Sequence, residues 1–145
     1  MKRHIANQNG FTLLEILIAM FLLAIGIFSV LSMQVTAIKS NSVASTLSSA
    51  NALAQETMED IMSWDISDPN VNTTTADTVY DLNGPNEAGT NISIPGAGTF
   101  SSTYSTTTNF PVAGTTQIVV KIYKVINGVS EKTPLITLTA CKRVT

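Results

Sequence analysis

One carboxylate, Glu15, stands near the front of the apolar run "FTLLEILIAMFLLAIGIFSVLSM", from Phe11 to Met33. From Ile16 to Phe28 no side chain is charged or strongly polar, and only Ser29 and Ser32 soften the remainder of the run. As a helix the run spans roughly 34 Å, close to a hydrocarbon core about 30 Å thick. An acid inside that core costs about 2.5–3.5 kcal/mol even on the lenient insertion scale. Something has to offset that cost.

Other reactive residue types are scarce. The one histidine, His4, lies in the short polar segment "MKRHIANQNG" ahead of the run. If that segment is removed, the mature chain has no histidine, and histidine triads and histidine metal sites disappear together. The one cysteine, Cys141, rules out an internal disulfide and reads as a small half-buried strand residue rather than a reactive thiol. There is no paired-acid, glycine-loop or nucleophile-elbow motif. The expectation is therefore no enzyme, no cofactor and no metal. A net charge of −2 gives no basic footprint for nucleic acid.

The elements that position Glu15 follow from the residues around it. Lys2 and Arg3 beside a span favour the cytoplasmic side, which sends the rest of the chain outward. Thr12 and Glu15 form a Thr-x-x-Glu capping box that opens a helix after Gly10. Between Phe11 and Asp68 there is no proline, and Gly26 is the only glycine. One continuous helix is thus permitted as far as "SWDISDP", where Pro69 disfavours continuation. Gly26 fits either close helix packing or slight local melting.

Beyond Met33 the pattern turns amphipathic. Val43, Leu47, Ala50, Ala54, Met58 and Ile61 recur at steps of three or four and mark one face. Residues 69–115, rich in Thr, Ser, Asn and Gly, read as a long irregular connection with short strands at "TVYDL" and "NISI". Sequons at Asn72 and Asn91 carry little weight in so Asn/Thr-rich a stretch. "TFSSTYSTTT" reads as a weak strand. "QIVVKIYKVI" sets Ile118, Val120 and Ile122 on one face, "NGVSEKT" turns, and "LITLTAC" returns with Ile136, Leu138 and Ala140. A few strands with one apolar face need cover, and the helical stripe supplies it. The fold class is α+β: a long N-terminal helical spine, membrane-spanning and then amphipathic, packed on a small antiparallel β-meander head.

Gly10 followed by "FTLLEILIAM" resembles the N-terminal signal of type IV prepilins and pseudopilins. The resemblance implies a cytoplasmic leader 1–10, a cut between Gly10 and Phe11 by a prepilin peptidase, and N-methylation of Phe11. Lys2 and Arg3 become the topogenic charges of that leader. Residues 11–33 become the transmembrane and filament-core helix, 34–66 its amphipathic continuation, and 67–145 the head. Cutting frees an α-amine at Phe11, with a reference pKa near 8 and hence a positive charge in a neutral cytoplasm. Glu15 is implied to pair with that amine, of its own or a neighbouring subunit, and so to set subunit register.

The stretch "ANALAQETMEDI" and the stranded tail are similar to PilV-like minor pilins and to minor pseudopilins of type II secretion. A major pilin of the best-known kind has a proline in its apolar helix and a C-terminal cysteine pair, and this chain has neither. The resemblance implies a non-enzymatic minor subunit with three kinds of partner: other pilins, the peptidase/methyltransferase and an inner-membrane assembly platform. It also implies a head in the periplasm before assembly into an extracellular pilus. Two other readings compete. In one, an ordinary signal peptide is cut after "VTA", Val35 to Ala37. In the other, a plain single-pass anchor carries a small binding domain.

Overall fold

The computed structural model describes residues 11–84 and 89–144. Two helices and six strands follow in the order α1 (Leu13–Ser63), α2 (Pro69–Asn72), β1 (Thr75–Tyr80), β2 (Ile92–Ile94), β3 (Gly98–Thr108), β4 (Thr115–Ile126), β5 (Val129–Ser130) and β6 (Ile136–Arg143). The chain divides into two compact units between Ser40 and Asn41.

In the first unit every described residue is helical or leads into the helix, and every one is exposed. With no proline to remove a donor, the i→i−4 ladder runs unbroken through Gly26. This stretch gives α1 the length and composition to cross a membrane.

The second unit is the head. Its sheet is antiparallel throughout, with β3 and β4 in the middle. β1 and β2 share the free side of β3, while β5 and β6 share the free side of β4. The period-two pattern fixes the register: Ser102, Tyr104 and Thr106 stand opposite Ile122, Val120 and Ile118, which stand opposite Ile136, Leu138 and Ala140. That face carries the apolar side chains and packs on α1 through Ala50, Leu53, Ala54, Met58 and Ile61.

The buried face of α1 differs from the expected stripe at its start. Val43 and Leu47 are exposed, whereas Thr46, Leu53 and Thr57 are buried with Ala50, Ala54, Met58 and Ile61. The first buried residue of α1 is Thr46, whose hydroxyl lies 2.9 Å from the Ala97 carbonyl oxygen in the β2–β3 turn. Hydropathy alone selects Val43 and Leu47; the hydroxyl bond and the small residues decide the contact instead.

The stretch read as an irregular connection holds more strand than expected. β1 starts earlier than "TVYDL", and β3, read as weak, is a central strand of 11 residues. Thr and Ser are tolerated there because they alternate with Phe100 and Tyr104 and bond across strands, as Thr75 does with Thr106 at 2.8 Å. Pro69 does not simply stop a helix. It opens α2, with Asp68 as N-cap accepting from the Asn70 N–H at 2.8 Å.

Two contacts close the head. Trp64, Tyr80 and Tyr104 form an aromatic cluster with ring centroids 5.6 to 6.5 Å apart. Asp60 accepts from both the Trp64 indole at 3.1 Å and the Tyr80 hydroxyl at 2.7 Å. The last turn of α1 has no basic residue of its own. Lys142 of β6 supplies the charge, donating to the Met62 carbonyl at 2.9 Å and also to that of Trp64.

Lys142→Met should lower head stability by about 1.5–3 kcal/mol, the usual worth of hydrogen bonds to a charged group. Urea unfolding of the full chain in detergent micelles, followed by Trp64 fluorescence, measures it. A second outcome concerns alkaline pH. Burial first, and then the bond to Asp60, push the Tyr80 phenol up; burial and the Asp68 charge push Tyr104 up. The unfolded chain therefore releases these protons earlier, so stability falls as pH rises past about 10. Tyrosinate absorbance should show two late-ionising phenols that titrate normally in denaturant.

Candidate functional site: the N-terminal helix

Phe11 and Thr12 precede the first helical residue, Leu13. Thr12 caps the helix: its carbonyl accepts from Glu15 at 3.1 Å and Ile16 at 3.3 Å, and its hydroxyl accepts from the Glu15 N–H at 3.2 Å. The carboxylate of Glu15 is not used in that cap. Among the described residues it has no hydrogen-bond or ion-pair partner. The capping reading thus accounts for the backbone of Glu15 and leaves its charge unassigned.

The helical period sets what surrounds this charge. Phe11, Glu15, Ile16, Ala19, Met20 and Leu23 line one shallow groove on the helix surface. Glu15 is its only charged member. A second groove, farther along, is lined by Leu22, Leu23, Gly26, Ile27, Val30 and Leu31. A side chain at Gly26 would meet nothing within 4 Å, so no contact inside the chain requires glycine there.

Of the sites expected from the sequence, Phe11 and Glu15 line one groove. Gly10, Lys2 and Arg3, and with them the leader, lie outside the described residues. Ser29 and Thr36 hydroxyls fold back on carbonyls four residues earlier, at 3.0 Å each, which hides their polarity within an apolar surface. Residue order alone does not disclose that device, because it shows a serine or threonine without its partner. Cys141 is a strand residue but exposed rather than half-buried, because it stands on the outer phase of β6 opposite Gln117. No group of three or more metal-ligating side chains occurs among the described residues.

Residues 5–31 match the family model described as the prokaryotic N-terminal methylation motif. No curated protein and no solved structure matches the chain. The motif is the type IV pilin signal, and it supports placing the chain among type IV pilins and pseudopilins. The match ends at residue 31 and leaves the head untouched. With it, the long apolar helix followed by an antiparallel sheet is a type IV pilin-like α+β fold.

Thr12→Ala should cost about 1 kcal/mol of helix start. Amide exchange at Glu15 and Ile16 should then quicken about five-fold in detergent micelles, with exchange beyond Met20 unchanged.

Proposed function

We propose that this chain is a minor pilin, a non-enzymatic subunit that enters, primes or modifies a type IV pilus. One observation carries the reading. The methylation motif falls on a helix whose apolar stretch from Leu13 to Met33 is exposed throughout and whose one early acid has no partner among the described residues. Such a surface is at rest only in lipid or among other apolar helices.

On this reading a prepilin peptidase cuts between Gly10 and Phe11 and methylates the new amine. The cut also removes Lys2 and Arg3, the charges that hold the leader at the cytoplasmic face. The Phe11 amine and the Glu15 carboxylate then meet as apolar helices bundle, in cis or between neighbours. Removing one partner of such a desolvated pair costs about 3–5 kcal/mol, so a wrong stagger is penalised more than the right one is rewarded. Gly26 gives a neighbouring helix room to approach.

Before assembly the chain is a single-pass inner-membrane protein with a periplasmic head; afterwards it lies in an extracellular fibre. An inner-membrane platform, driven by a cytoplasmic ATPase, moves it from one to the other. The absence of a proline in the apolar helix and of a cysteine pair favours a minor subunit. A minor pseudopilin of type II secretion has the same motif, and the machinery recovered with the chain separates the two.

Glu15→Leu should leave the amount of chain in the membrane unchanged and lower its share in sheared fibres at least ten-fold. Quantitative immunoblots of the two fractions give the ratio. Equal incorporation of the variant would rule out the register role.

A further inference from the structure

We propose that the head binds a neutral sugar unit in a cavity on the sheet face turned away from α1. The site lies wholly within the head and does not rest on the fibre reading above.

The cavity, about 330 Å³ in volume, falls within the roughly 300–1,000 Å³ of small-molecule sites. Side-chain size makes it. The strand period sets Ser101 and Thr103 of β3 on the outer face, opposite Tyr123 of β4 and Val79 of β1 respectively. Asn91 comes alongside Ser101, because the next residue, Ile92, pairs with Phe100. Two small side chains thus form a floor between larger neighbours. Ser101 is only 7% exposed, although α1 packs on the opposite face. The Asn91 side is held in place by Asn83, whose side-chain amide donates to the Gly89 carbonyl at 3.0 Å and the Asn91 carbonyl at 2.7 Å.

The polar groups of the cavity are unequally used. The hydroxyls of Ser101 and Ser130 bond to each other at 2.7 Å and join β3 to β5 above β4. The Thr103 hydroxyl is buried and has no partner among the described residues. Within those residues the Tyr123 hydroxyl, the Asn91 side-chain amide and the Glu131 carboxylate also have no hydrogen bond. Buried polar groups without a partner are rare in folded proteins, and here one sits in a cavity open to a ligand.

This lining selects the ligand class. Glu131 is the one charged group that lines the cavity, which disfavours phosphate, sulfate and carboxylate ligands. The cation beside Thr103, Lys121, is already held by both oxygens of Asp77 at 2.8 and 2.9 Å. A wholly apolar ligand would cover the Thr103 hydroxyl without pairing it. An extended peptide needs a free sheet edge, and β3 and β4 beneath the cavity are paired on both sides. A pyranose ring meets every requirement. Its adjacent hydroxyls donate and accept, which suits threonine, asparagine and carboxylate groups together. Its C–H face lies against the Tyr123 ring and the Val79 methyls.

The test adds the methyl glycosides of glucose, galactose, mannose and N-acetylglucosamine, each at millimolar concentration, to the full chain in micelles of a sugar-free detergent. Saturation-transfer difference NMR should show at least one of them bound, with the transfer concentrated on the ring protons of one face. Thr103→Val and Glu131→Ala should each weaken its binding about five-fold, the usual worth of one hydrogen bond. Thr137→Val, on the same face but outside the cavity, should leave it unchanged. Should Thr103→Val unfold the head by Trp64 fluorescence, Glu131→Ala at its exposed position decides alone. No transfer to any of the four, transfer that these variants do not reduce, or transfer only to a methyl sialoside or a tripeptide would overturn the sugar site. A chain that keeps residues 1–10 would remove the fibre reading and leave this site standing.

Discussion

A charge inside an apolar helix must be matched, and in this chain the match is absent from the described residues. Glu15 sits one turn into a helix long enough to cross a membrane, and its backbone N–H is satisfied by Thr12 while its carboxylate is not satisfied at all. The rest of the N-terminal unit obeys that constraint. The residues around Glu15 are apolar and bonded only to their own helix, so no neighbour among them can neutralise it. The counter-charge has to come from outside the described residues. On the reading proposed above, the α-amine freed at Phe11 by the cut, four residues upstream, supplies it.

The head shows the opposite arrangement, with nearly every interaction internal. The α1 face from Thr46 to Ile61 is small or apolar and lies on the alternate residues of β3, β4 and β6. Lys142 then ties the last strand to the end of the helix. The same helix thus serves two solvents. Its first part, as far as Met33, is almost wholly apolar and exposed, and from Thr46 onward it is small or apolar on one face and buried there.

Much of this was legible from residue spacing. The absence of proline before Pro69 implied one helix, and α1 runs to Ser63. The alternation of Ile118, Val120 and Ile122 named the inner face of β4, and all three are fully buried. What escaped depended on partners distant in sequence. β3 looked weak because serine and threonine dominate it, yet a strand between two others is decided by its ladder rather than by its propensity. Val43 and Leu47 fit the stripe but flank Thr46, the first buried residue of α1, and stay exposed. Residue order does not single out Lys142, and only the fold brings it to the carbonyls of Met62 and Trp64. At the candidate site, Thr12 and Glu15 could be read together because capping is local. The fate of the carboxylate could not, because its partner is not a neighbour in the chain.

The most direct measurement is the intact mass and N-terminal sequence of this chain taken from sheared surface fibres. The account predicts a chain beginning at Phe11 and heavier by one methyl group. A chain that begins at Met1, or at Ile38 after an ordinary signal cut, would contradict it, since Glu15 would then lack its amine or be gone.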